Sequence, residues 1–196
     1  MSFFKLILAF APWIAFLIIA HGSLFRLELG LVVALVLSVG MGVARLQRGI
    51  ILWVGLLFFV YATVAVAVFH SMWAVHYMGV LANGTLAAGS WLTIVIGKPF
   101  SLDYARAHTD PALWKQPAFI RTNVIITSVW AMIFTVNTVL AWGNMAEVLL
   151  PGWGYDALSY AFLIGAAAFT SWYPSHIRRL RLARQAPEQS PQTTLR

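Results

Sequence analysis

The sequence contains no cysteine and few charged residues among its 196 positions. Without cysteine, the chain cannot form disulfide bonds, thiolate metal sites or cysteine nucleophiles. Charged residues make up 10% of the chain and hydrophobic residues 61%, whereas soluble domains carry about 25% charged residues. A domain of this size cannot bury so much apolar surface in water. The composition therefore predicts an integral membrane protein and excludes a free cytosolic enzyme, a nucleic-acid-binding module and a disordered chain.

Recognisable catalytic motifs are also missing from the sequence. It shows no Ser-His-Asp order, HExxH motif, glycine-rich phosphate loop or paired carboxylates. All six acidic residues fall in links, near span ends or in the tail, whereas ion-coupled transporters usually need an ionisable group inside the membrane. We therefore expect a protein that is not an enzyme and has no cofactor.

Six apolar segments are long enough to be membrane-spanning helices, which need about 20 residues. They cover residues 4–20, 27–44, 49–69, 74–97, 122–143 and 155–173, the last ending at Pro174. With the N-terminus inside, every Lys and Arg except Arg26 falls on the cytoplasmic side. Cytoplasmic links carry the excess of positive charge in membrane proteins. The sequence thus predicts an all-α polytopic protein with six transmembrane helices and both termini inside, in a bacterial inner membrane.

One domain is expected over residues 1–184, consisting of the six-helix bundle and a basic helical extension after Pro174. The extension carries four arginines, which favours a position along the anionic membrane surface. Residues 185–196 are rich in Gln, Pro, Ser and Thr, a composition that predicts a disordered tail.

The longest link, residues 98–121, mixes aromatic with cationic side chains. Ser101 is expected to cap a short helix over residues 102–108, and Asp110-Pro111 marks a second helix start. Short helices of this kind suit the cytoplasmic headgroup layer, and a docking surface for a cytoplasmic partner is the alternative. The residues assigned to this partner or lipid surface are Lys98, Phe100, Tyr104, Arg106, Trp114, Lys115, Arg121, Arg178, Arg179 and Arg181.

Small and polar residues recur at helical spacing in the fourth and fifth spans. Small residues let helices approach closely, and amides bond across the interface. The stripes therefore predict either helix–helix packing or a path for a polar substrate. Asn83 and Asn137 are expected at similar depth in the outer half, facing the interior, where they would pair. The full set is His76, Gly79, Asn83, Ala87, Ser90, Asn123, Thr127 and Asn137.

Three histidines, His21, His70 and His76, map near the outer ends of the predicted spans. Imidazoles that cluster in space bind copper or zinc, or ligate haem. His70 and His76 are six residues apart, which is not the spacing of a shared helical face. That spacing favours hydrogen-bonded interface histidines, so no metal is assigned and these three residues stay candidates only.

Several short motifs occur in a characteristic order along the chain. The first span contains Phe10-Ala11-Pro12, and the fourth closes in Lys98-Pro99, followed by Trp114-Lys115, Asn123, Trp130-Ala131 and Asn137. In these features the chain resembles the intracellular septation protein A family over most of residues 4–180. The resemblance implies a polytopic inner-membrane protein, tied to cell-envelope maintenance and septation, that acts through protein contacts. It supplies no catalytic residues.

Three functions remain open. The leading hypothesis is a non-enzymatic protein that scaffolds or stabilises a cell-envelope or membrane protein assembly. Its partners would be membrane lipids and other membrane or envelope proteins, with a homo-oligomer also open and nucleic acid excluded. The second is a small transporter or channel for an uncharged or lipid-like substrate, which predicts a water- or lipid-accessible cavity lined by Asn83, Ser90, Thr127 and Asn137. The third is a metal- or haem-binding protein that uses the outer histidines.

Overall fold

The chain folds into α-helices, as its apolar runs predict. The computed structural model describes residues 10–44, 49–107, 109–146 and 149–185, and these residues contain no strand. A π-helical turn, Val64–Val68, extends α3, and a 3-10 turn, Pro111–Leu113, precedes α7. The helices are α1 (Ala11–Ile19), α2 (Leu24–Val43), α3 (Ile50–Thr63), α4 (Met72–His76), α5 (Met78–Val95), α6 (Ser101–Arg106), α7 (Pro117–Ala146) and α8 (Gly152–Gln185).

Four helical segments are long and apolar enough to cross a membrane: Leu24–Val43, Ile50–Val68, Met78–Val95 and Pro117–Ala146. They correspond to the second to fifth predicted spans. Many of their large apolar side chains are exposed, which is the expected arrangement when the surrounding solvent is lipid rather than water. These helices are those of a membrane protein.

Helix boundaries differ from the prediction in three places. Tyr77 interrupts the fourth predicted span and separates α4 from α5. Helix α7 begins at Pro117, because proline at the first helical position loses no hydrogen bond, so Arg121 belongs to the helix and not to the link. The sixth predicted span ends at Pro174, but the helix does not end there, since α8 continues to Gln185. Proline removes one backbone hydrogen bond, a loss that membrane helices tolerate.

Part of the C-terminal prediction lies outside the described residues. Helix α8 continues through residues 175–185, so the expected extension after Pro174 is helical. The tail from residue 186 onward is outside the described part of the chain, and so are His108 and the side chain of Arg181.

Helix α1 is short, and large aromatic rings tie it to its neighbours. Trp13 stacks on Phe58 of α3, with ring centroids 5.0 Å apart. Phe10, directly before α1, stacks on Trp130 of α7 at 5.2 Å. All four rings are buried, and each aromatic pair contributes about 0.5–1.5 kcal/mol through its ring contact. The aromatic contacts therefore hold α1 between α3 and α7.

Glycines allow α5 to approach helices α3 and α7 closely. A methyl group added at Gly79 would lie 3.4 Å from Ala141 of α7, which is an ordinary contact. At the other end of α5, a methyl group added at Gly89 would come within 2.9 Å of both methyl groups of Val54 on α3. The packing is thus tighter at the Gly89 end of α5 than at the Gly79 end.

Candidate functional site

A cavity of about 680 Å³ lies among the ends of α1, α2, α4, α5, α7 and α8. All three predicted outer links contribute to it or adjoin it, so we call it the outer cavity. Its volume falls within the range of small-molecule sites, which is about 300–1,000 Å³. Its polar lining residues are His21, Ser23, His76, Asn83, Asn137, Asn144, Tyr155, Asp156, Ser159 and Tyr160.

Asn83 and Asn137 both line the outer cavity but do not bond to each other. Asn83 Nδ2 donates to the carbonyl oxygen of Gly79 in the same helix, at 2.9 Å. Asn137 Nδ2 donates to the carbonyl oxygen of Ser159 on α8, at 3.5 Å. The expected pairing is wrong because each amide donates to a backbone carbonyl instead. Asn137 is 1% exposed, and its Oδ1 accepts no hydrogen bond from any described residue.

An apolar crevice of about 270 Å³ adjoins the outer cavity. The two spaces share Phe16, Leu17, Asn83 and Leu163. The crevice lies between α1, α5, α7 and α8, and its wall includes the indole rings of Trp13 and Trp130. Ile164 also lines the crevice and is 70% exposed. The crevice therefore opens sideways onto the apolar surface of the helical bundle.

A hydrogen bond closes the outer rim between α1 and α8. His21 Nε2 and the hydroxyl oxygen of Tyr160 are 3.2 Å apart. His76 lies elsewhere in the same cavity lining, whereas His70 is exposed and has a left-handed backbone with φ of 48°. Two of the three candidate histidines thus share the cavity. Within residues 10–44, 49–107, 109–146 and 149–185, no group of three or more His, Cys, Asp or Glu could hold a metal ion.

The other half of the bundle, away from the outer cavity, contains a buried polar cluster formed by Ser101, Asn123 and Thr127, which we call the inner cluster. Ser101 Oγ lies 3.0 Å from both the carbonyl oxygen and the Oδ1 of Asn123. Thr127 Oγ1 donates to Ser101 Oγ, also at 3.0 Å. All three residues are at most 2% exposed. The expected cap is wrong, because the Ser101 side chain bonds to α7 and not to the start of α6.

Ser90 and Thr127 do not line the outer cavity, although we expected them on a polar path. Both are fully buried, and Thr127 is held in the inner cluster. Ser90 Oγ has no hydrogen-bond partner among the described residues, and the Ser90 carbonyl accepts from Thr93 Oγ1 at 2.7 Å. Gly79 lines the cavity, and Ala87 is buried in the helix packing. The linings of the cavity and the crevice therefore stop short of Ser90 on α5 and Thr127 on α7.

The link between α5 and α7 is packed against the bundle. Asp110 Oδ1 accepts from the Ala112 amide at 2.9 Å, which confirms the second helix start. The Arg106 guanidinium lies over the Trp114 ring at 5.7 Å, and Tyr104 is half-buried. Phe100 is buried, because its ring packs edge-on against Phe10, so it does not belong to the surface. The exposed cations are Lys98, Lys115, Arg121, Arg178 and Arg179.

Asp103 joins this link to the start of α3. Its carboxylate lies against Gly49, so that any side chain at Gly49 would collide with it. Gly49 also has a left-handed φ of 87°, which glycine adopts without strain. Partial burial raises the pKa of the Asp103 carboxyl above its ordinary value, and the charges of Arg106 and Lys98 offset part of that rise.

The polar lining residues of α8 were missed by sequence reasoning. Asp156, Ser159, Tyr160 and Leu163 recur at spacings of three or four residues and all line the outer cavity. This is the helical spacing that marks the stripes in the fourth and fifth spans. A search of the sixth predicted span for polar residues at this spacing would have identified them.

Comparison of the chain with protein-family models, with curated proteins and with solved structures finds no match. The functional conclusion therefore depends on the geometry of the outer cavity and the inner cluster.

Proposed function

We propose that the chain is a six-span protein of the bacterial inner membrane, with both termini inside, that takes up a small uncharged or lipid-like molecule from the outer half of the membrane. Helices α1 and α8 would supply the first and sixth spans. The proximity of His21, His76 and Asn144 in one cavity supports this topology, because all three lie near the predicted outer ends. The contact between Gly49 and Asp103 at the other end supports it as well.

One observation carries the proposal: a cavity with polar walls shares wall residues with an apolar crevice, and the polar cluster in the other half of the bundle is buried. A polar mouth with an apolar extension accommodates a molecule that has both kinds of surface. The inner cluster blocks the continuation toward the cytoplasm. The shape thus favours binding or one-sided entry over an open channel in this conformation.

Cysteine labelling tests the proposal, because the native chain has no cysteine. Asn83→Cys should react with a membrane-impermeant maleimide added outside intact spheroplasts, since Asn83 lines the outer cavity. Ser90→Cys is the matched buried control on the same helix and should stay unlabelled. Leu113→Cys, exposed on the cytoplasmic link, should react only after permeabilisation. Labelling of Leu113→Cys from outside would contradict the orientation, and failure to label Asn83→Cys would contradict the open cavity.

Scaffolding in a cell-envelope assembly, as the resemblance to septation protein A implies, is the second candidate function. The ordered link between α5 and α7 favours it, because buried hydrogen bonds from Ser101 anchor this segment to the bundle. A photo-crosslinker at exposed Leu113 should then give one discrete crosslinked product in native membranes. The same crosslinker at buried Leu102 is the matched control. Identical products from both positions would argue against a docking surface.

A further inference from the structure

We propose that the outer cavity and the apolar crevice together bind a neutral lipid alcohol, a molecule with a hydroxyl-bearing, phosphate-free head and at least one hydrocarbon chain. This inference rests on the proposed function and specifies its ligand. The head occupies the outer cavity, where Asn137 Oδ1 accepts a hydrogen bond from a hydroxyl group. The chain lies in the crevice between α1 and α8.

The free acceptor of Asn137 favours a ligand that donates a hydrogen bond to its Oδ1. Buried polar atoms nearly always have hydrogen-bond partners. Asn137 is 1% exposed, and its Oδ1 is left without a donor by the part of the chain that the structure describes. One N–H of the amide nitrogen already donates to the carbonyl oxygen of Ser159. A ligand hydroxyl supplies the missing bond, whereas an ester or ketone oxygen offers only a second acceptor.

The charge of the outer cavity disfavours a phosphate head. No Lys or Arg is found among the described residues that line it, and Asp156 adds a carboxylate. Arg26, near the same end of the bundle, donates its Nε to the carbonyl oxygen of Ile19 at 3.2 Å. Removing a phosphate from water without a cation to pair with it is costly. An acylglycerol or a prenol carries no such charge.

The crevice gives the hydrocarbon chain both a site and an entrance. Its lining is almost entirely apolar, and it shares Phe16, Leu17 and Leu163 with the wall of the outer cavity. Its lateral opening beside Ile164 faces the surface that lipid chains contact. A lipid therefore reaches the site from within the membrane without passing through water.

Two tryptophans in the crevice wall, Trp13 and Trp130, report on the chain by fluorescence. The full-length protein in detergent micelles is titrated with a diacylglycerol brominated on its acyl chain, because bromine quenches indoles at contact range. The matched probe is phosphatidic acid with the same brominated chains. We expect saturable quenching by the diacylglycerol and at least tenfold weaker binding of phosphatidic acid. Competition by an unbrominated long-chain prenol distinguishes a prenol site from an acylglycerol site.

Asn137→Leu should weaken diacylglycerol binding about tenfold, which is the loss of one hydrogen bond. Its melting temperature without ligand should fall only slightly, because the change removes the long 3.5 Å hydrogen bond from Asn137 Nδ2 to Ser159, whereas Oδ1 has no partner among the described residues. Gln116→Leu removes an amide from the exposed link between α5 and α7, outside both spaces, and should alter binding less than threefold. If Asn137→Leu does not fold, Asn137→Ser, which also removes the amide, gives the same comparison.

Equal affinity of Asn137→Leu and the native protein, or tighter binding of phosphatidic acid, would overturn the inference. Quenching that persists in a Trp13→Phe/Trp130→Phe variant would place the chain elsewhere and overturn it too. If Asn83→Cys is labelled from outside but no probe binds saturably, the ligand assignment fails while the proposed function survives. If Asn83→Cys is not labelled, both fail.

Discussion

The inner and outer halves of the bundle use the same kinds of polar residue in opposite ways. Asn123 and Asn137 lie 14 residues apart on α7, which is close to four helical turns and therefore nearly the same face. Asn123 Oδ1 receives the hydroxyl of Ser101, which α6 brings to it. Asn137 lines the outer cavity, and its Oδ1 receives no donor from any described residue. The two asparagines share residue type and helix face, so neither property explains the difference. The neighbouring element does: α6 supplies a donor to Asn123, whereas no described residue supplies one to Asn137.

The largest expected effect is the loss of the inner cluster in Ser101→Ala. The change leaves Asn123 Oδ1 without its donor and the buried Thr127 O–H without its acceptor, and each buried unsatisfied group costs about 1–3 kcal/mol. We expect the free energy of unfolding, measured by denaturant titration in mixed micelles, to fall by about 2–3 kcal/mol.

Ser90→Ala is the matched control, because it removes an equally buried hydroxyl that has no partner among the described residues. Its effect should stay within about 0.5 kcal/mol. Equal losses for the two variants would mean that the hydrogen bonds of the inner cluster do not stabilise the inner half.

The next effect comes from glycine packing along α5. Gly89→Ala should lower the free energy of unfolding by about 1–2 kcal/mol, because the stiff Val54 side chain cannot give way freely to the new methyl group. Adding Val54→Ala should remove most of this penalty. Gly79→Ala, next to the outer cavity, should be neutral or slightly stabilising, because alanine favours the helix. Equal penalties at both glycines would contradict a tight inner half and a loose outer half.

Much of this architecture could be predicted from hydropathy and helix signals. The four helices of spanning length match the second to fifth predicted spans, and Asp110 acts as the expected cap. Sequence signals predict these features because the interactions that determine them involve residues close together in the sequence. Hydropathy reflects solvation of each segment, and a cap bonds to a backbone amide two or three residues away.

The inner cluster and the open acceptor could not be predicted, because both depend on residues distant in sequence. Ser101 looks like a helix cap from its neighbours, yet its partners lie 22 and 26 residues away. The stripe on α7 identifies Asn123, Thr127 and Asn137 as interior but does not tell which of them finds a donor. Local propensity likewise predicts an end at Pro174, where α8 continues as one helix.

A smaller effect is expected at the outer rim in Tyr160→Phe. This change removes the 3.2 Å hydrogen bond to His21. Because that hydrogen bond is exposed, the free energy of unfolding should fall by less than about 1 kcal/mol. The maleimide labelling rate of Asn83→Cys should nevertheless rise, because α1 and α8 lose a bond across the rim. Tyr61→Phe, on an exposed face of α3, should leave that rate unchanged. A rate unaffected by Tyr160→Phe would show that this hydrogen bond does not limit entry.

The smallest effect concerns the charge of Asp103, at the inner end. Partial burial raises the pKa of this carboxyl above its ordinary value of 3.8, so the folded state binds a proton more readily than the unfolded state. Stability therefore falls as the pH rises from 3.8 through the raised pKa. Asp103→Asn should abolish this slope and melt slightly higher than the native protein at pH 7, with the difference vanishing below pH 3.8. Asp110→Asn removes an acidic charge from the same link and should leave the slope in place. If the native protein instead gains stability over this range, the positive start of α3 and the nearby cations outweigh the burial of the carboxylate, and Asp103 stabilises the inner end through its charge.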